Sequence, residues 1–118
     1  MQVFVVGSPL ETAKALDPKR LRKQIIECRQ ILDALNGKSA WSNHPCVLQY
    51  RGYEEWLLAY KTCLEDYYEA IHNTINPILQ KSIEAFAKDW SNYADAIRPD
   101  WHAQRYYDNM KARLFTKN

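Results

Sequence analysis

Glycine occurs three times and proline five times in the 118 residues of this chain. An all-β sandwich needs a turn signal roughly every 8–12 residues, and linkers or collagen-like repeats need far more of both residues, so the scarcity excludes those folds and favours helices. Cysteine is also sparse. Cys28, Cys46 and Cys63 are an odd number and cannot form a fully paired framework, and the chain opens with neither a basic n-region nor an apolar h-region. The expected setting is therefore a reducing one, the cytoplasm. No run approaches the roughly 18 apolar residues of a membrane span, so no membrane partner is expected. Neither sign of charge dominates: 16 Lys and Arg against 14 Asp and Glu leave +2, which permits a nucleic-acid partner without requiring one. There is no phosphate loop, no glycine-rich dinucleotide fingerprint and no G-x-S-x-G, and no cofactor is expected.

What is present is a chain that is 47% hydrophobic and 25% charged, the balance of one compact domain over residues 1–118. The opening MQVFVV is β-branched and aromatic, but no second convincing strand follows it, so it reads as an extended lead-in. Ser8, Pro9 and Glu11 are arranged as a capping box, starting a short helix that ends near Leu16. Asp17 and Pro18 repeat the cap-then-proline signal. Leu21, Ile25, Cys28, Ile31, Leu32 and Leu35 then recur at three- and four-residue steps until Asn36 and Gly37 supply a left-handed stop. Residues 38–44 break the period. One or two helical turns are expected from Pro45 to Tyr50, and a long helix from Tyr53 to about Asn73 with Trp56, Leu57, Tyr60, Leu64, Tyr67 and Ile71 as its apolar stripe. Another helix, from about Pro77 to Trp90, presents Ile78, Leu79, Ile83, Phe86 and Trp90 to the core, and a last helix covers Trp101 to Leu114. The predicted fold class is all-α, a single compact domain of about four to five helices, with Ile31 and Leu64 in the core.

Two groups of residues can carry chemistry. The first is the polar face of the second helix, Lys19, Arg20, Arg22, Lys23 and Gln24, with one acid, Glu27, four residues after Lys23 and seven after Arg20. A solvated face with one i,i+4 ion pair, worth a few tenths of a kcal/mol, accounts for this spacing. So does a carboxylate held among cations that track phosphates, where Glu27 acts as a base or stabilises a developing positive charge. The second group is Trp41, Asn43, His44, Tyr50, Arg51 and Tyr53, in which stacking rings, amide donors and a guanidinium interleave as they do around nucleobases and phosphates. The alternative is a loop pinned by Trp41, with His44 capping the next helix. Neither His44 with Cys46 nor the other histidines have enough partners at ligand spacing, so no metal is expected.

The ordered segments Leu16-Asp17-x-Lys19-Arg20-Leu21-x-Lys23-Gln24-x-x-Glu27-x-x-Gln30-Ile31-Leu32, Trp41-x-Asn43-His44-Pro45 and Tyr50-Arg51-Gly52-Tyr53-Glu54 resemble the pyrimidine-dimer DNA glycosylase (endonuclease V-like) family, in particular its bacterial and phage branch. The resemblance covers roughly the first half of the chain. It implies an all-helical domain in which the α-amino group of the first residue attacks the anomeric carbon of a damaged nucleotide, displacing the base and forming an imine. It also implies that Glu27 supports this step and the β-elimination after it, with Met1 as the nucleophile because bulky Gln2 leaves Met1 in place. Arg20, Lys23 and Arg51 match phosphate contacts, with Lys19, Gln24, Trp41, Asn43, His44 and Tyr50 lining the same DNA groove. Lys111 stands for an arginine of the family's carboxy-terminal stretch, whose histidine has no counterpart here. An α-amine, with a pKa of about 7.7–8.0, is partly neutral at physiological pH and needs no large shift to act as a nucleophile. The implied partner is DNA. The other function compatible with these residues is a non-catalytic nucleotide- or nucleic-acid-binding protein on the same scaffold, such as a phage protein that sequesters a nucleotide signal or blocks a nucleic-acid enzyme.

Overall fold

The structure is a computed structural model that describes residues 3–37 and 44–116, with side chains as far as Arg113. In chain order the helices are α1 (Pro9–Ala15), α2 (Pro18–Leu35), α3 (Pro45–Gln49), α4 (Glu54–Tyr68), α5 (Pro77–Ala96) and α6 (Gln104–Thr116). A π-helical turn, Glu69–Asn73, continues α4. The all-α class holds, and no strand occurs among the described residues.

Local signals set the helix ends. Ser8 Oγ accepts from Glu11 N at 3.2 Å while Glu11 Oε1 accepts from Ser8 N at 3.3 Å, closing the capping box of α1. Asp17 Oδ1 accepts from Arg20 N at 2.8 Å at the start of α2, and Gly37, at φ 75°, adopts the left-handed geometry beyond its end. Gly52, at φ 91°, makes the turn from α3 into α4.

Helix α4 runs through the centre, burying Trp56, Leu57, Ala59, Tyr60, Cys63 and Leu64. Against it lie α1, α5 and the α2 face of Leu21, Ile25, Cys28, Ile31 and Ala34. Ile31 and Leu64 are fully buried, as their periodicity predicted. The extended lead-in needs no partner strand, because side chains satisfy its backbone. Phe4 N donates to Gln24 Oε1 at 2.7 Å, Tyr60 Oη donates to Phe4 O at 2.5 Å, and Val6 N donates to Thr12 Oγ1 at 3.1 Å.

Three expectations are corrected. Ile71 is exposed, because it lies in the π turn, whose i→i+5 geometry departs from the 3.6-residue period of α4. Helix α6 begins at Gln104, three residues later than expected, after a turn in which His102 N donates to Pro99 O. The largest correction concerns α5, which extends six residues past Trp90 and turns Ile78, Leu79, Phe86 and Trp90 to the surface, with Ile83 half-buried. Its inner face is made of Ala87, Ser91 and Ala94. These small side chains allow close approach to α1 and α4, and Ser91 Oγ accepts from Leu10 N at 3.0 Å.

Candidate active site and nucleic-acid interface

Glu27 sits where the core face of α2 gives way to its solvated face, and it is half-buried. The pattern of spacing allowed a Lys23–Glu27 ion pair, but none forms. Gln24 Nε2 donates to Glu27 Oε2 at 3.4 Å. Since the Phe4 amide can only donate, Gln24 must offer it Oε1, and this fixes the amide so that its NH₂ faces Glu27. Gln24 is 2% exposed and thus forms a buried strut between the amino-terminal segment and the carboxylate, rather than an open DNA contact.

The negative charge of Glu27 reaches several neighbours. Burial is the main cause that raises the thiol pKa of Cys28 and Cys46 and the phenol pKa of Tyr60, and the Glu27 charge adds to it in all three. Tyr60, which holds Phe4 O, and Cys46 at the start of α3 thus both lie within electrostatic reach of Glu27.

The cations singled out in the sequence differ in their surroundings. Lys19, Lys23 and Arg51 are exposed. Arg20 is half-exposed, with Nε 3.7 Å from Asp17 Oδ2. A surface pair of this kind is worth at most about 1 kcal/mol, so a phosphate can displace it cheaply. His44 caps α3, its Nδ1 accepting from Cys46 N at 3.1 Å. Tyr50 is completely buried, stacked on Trp56 at 5.5 Å and sharing a 3.2 Å hydrogen bond with His102 Nε2, so it offers no face to a base in this structure. Met1, Trp41 and Asn43 lie outside the described residues.

Beside Val3 opens a cleft of about 500 Å³, lined by His44, Cys46 and Gln49 on one side and Tyr106, Asn109, Met110 and Arg113 on the other. The four α6 residues are spaced as i, i+3, i+4 and i+7, one face of the helix. Lys111 is about 100° from Met110 and exposed, so it does not line the cleft. The weak periodicity of α6 gave no signal for its cleft-lining face.

Beneath the cleft, His102 is 1% exposed among Tyr50, Trp56, Trp101, Tyr106 and Tyr107. Burial, with Arg98 contributing, lowers its pKa from 6.5 to about 4, so the ring is neutral near pH 7. Nδ1 of His102 and the Tyr106 hydroxyl are buried without hydrogen-bond partners. The described residues contain no cluster of three or more His, Cys, Asp or Glu able to hold a metal, and no helix long and apolar enough to cross a membrane.

These features define an all-helical domain in which Phe4 is fastened through Gln24 beside a half-buried glutamate on a cationic helix. The family model for pyrimidine dimer DNA glycosylase matches residues 1–77, and the chain belongs to that family. The match covers everything through α4 and its π turn and stops where α5 begins. No curated protein and no solved structure matches the chain.

Proposed function

We propose that the chain is a DNA glycosylase with AP-lyase activity toward pyrimidine dimers, with Met1 as nucleophile and Glu27 as the assisting carboxylate. The observation that carries this reading is the Phe4–Gln24–Glu27 chain of hydrogen bonds, which ties the amino-terminal backbone to the carboxylate. The Met1 amine is covalently two residues from buried Val3, so two Cα steps of about 3.8 Å and one N–Cα bond limit its distance from the Val3 Cα to about 9 Å.

In the proposed reaction the amine lone pair attacks C1′ of the damaged nucleotide. The glycosidic bond breaks, its electron pair leaves with the base, and loss of the amine proton and ring opening give a protonated imine. The ionised Glu27 stabilises that cation and then takes a proton from C2′. The electrons shift to expel the 3′ phosphate, cutting the strand. Arg20, Lys23 and Arg51, with Lys19, hold flanking phosphates electrostatically. Trp41, Asn43 and His44 contact the nucleotide from the segment before α3.

The test is incubation with duplex DNA carrying a single pyrimidine dimer and, separately, a single abasic site. The reading predicts strand cleavage at both. Tight binding without cleavage of either would replace it by a binding protein on the glycosylase scaffold.

A further inference from the structure

The outer face of α5 carries an apolar stripe that the described residues leave 38–60% exposed: Leu79, Phe86, Trp90 and Tyr93, flanked by Leu58 of α4. Ile75 and Ile78 extend it at the amino-terminal end, 97% and 79% exposed. Together these side chains leave roughly 800 Å² open, given that large apolar and aromatic side chains present about 150–250 Å² each. Soluble monomers usually carry a largest apolar patch of about 300–600 Å², whereas a standard interface buries about 800 Å² per partner.

The stripe also has a register. Measured from Phe86, its positions within the helix fall at minus 7, minus 4, plus 4 and plus 7: Leu79, Ser82, Trp90 and Tyr93. The sequence of steps reads the same in both directions. Two antiparallel copies of α5 related by a twofold axis at Phe86 therefore place Leu79 against Tyr93 of the second copy. Exposed Ser82 faces Trp90, a small side chain opposite the largest one. Helix α5 has 20 residues and is thus about 30 Å long, enough to carry the seam from Leu79 to Tyr93.

We propose that this face joins two copies of the chain as a symmetric antiparallel dimer centred on Phe86. The interface shares no residue with the cleft beside Val3 or with the Glu27 site and does not depend on their chemistry.

The test is sedimentation velocity of the full chain from about 1 to 100 µM. The wild type should run at twice the 13.9 kDa chain mass. Phe86→Lys should run at the single-chain mass with an unchanged helical circular-dichroism spectrum, since the side chain it replaces is already 60% exposed. Register is read from paired variants. Leu79→Lys with Tyr93→Glu places opposite charges across the seam and should dimerise at least tenfold more tightly than Leu79→Lys with Tyr93→Lys. A wild type that stays at the single-chain mass at 100 µM, a dimer indifferent to Phe86→Lys, or equal affinity of the two paired variants would each overturn the proposal.

Discussion

Acidification should weaken the protein through His102, and the size of the effect follows from its surroundings. The ring is enclosed by aromatic side chains from the end of α3, from α4 and from α6, with Arg98 adding repulsion, and its pKa falls from 6.5 to about 4. Below about pH 6.5 the unfolded chain takes up a proton that the folded chain refuses until about pH 4. Stability therefore falls with pH across that window. Linkage between those two values gives a loss of about 2 kcal/mol at pH 5, or roughly 6–10 °C in melting temperature for a domain of this size. Asp66 and Asp95 act in the opposite sense, since burial raises their pKa values and acid favours their folded, protonated forms. The decisive comparison is thus between wild type and His102→Phe, melted by circular dichroism from pH 7.5 to pH 4.5. The variant keeps a ring in the aromatic cluster and should lose the His102 share of the pH dependence. Identical slopes for the two proteins would refute the buried, neutral histidine.

Gln24→Leu should cost about 1–3 kcal/mol, measured by urea denaturation, because it removes the acceptor of the Phe4 amide; strand cleavage should fall further than DNA binding does. Arg20→Ala, Lys23→Ala and Arg51→Ala should each weaken DNA binding and reduce its salt dependence by about one unit of log–log slope, read from binding isotherms between 50 and 200 mM salt. Leu64→Ala, in the fully buried seam of α4, should destabilise by about 2–5 kcal/mol in denaturant melts.

Much of the first half of the fold was legible because its signals are local. The capping box at Ser8, the Asp17–Pro18 start and the Gly37 stop each act within a few residues, and each occurs where the pattern placed it. The α5 face was misread for a physical reason. Hydropathy marks Phe86 and Trp90 as the core side, but a helix can bury Ala87, Ser91 and Ala94 instead, and only the shape of α1 and α4 decides which stripe packs. The site followed the same division. The cations and Glu27 stood out from their spacing on one helix. The strut role of Gln24, the burial of Tyr50 and the α6 side of the cleft depend on contacts across 20 or more residues, which periodicity does not encode.

In the proposed function the amino-terminal amine and Glu27 form one catalytic unit. Borohydride reduction during turnover of abasic-site DNA, followed by peptide mapping of the adduct, tests it most directly because reduction fixes an imine to whichever amine formed it. The expected result is a covalent adduct on the Met1 α-amine, with strand cleavage falling by about 10²–10⁴ in Glu27→Gln while the fold is unchanged. An adduct on a lysine, no adduct at all, or full activity in Glu27→Gln would contradict it.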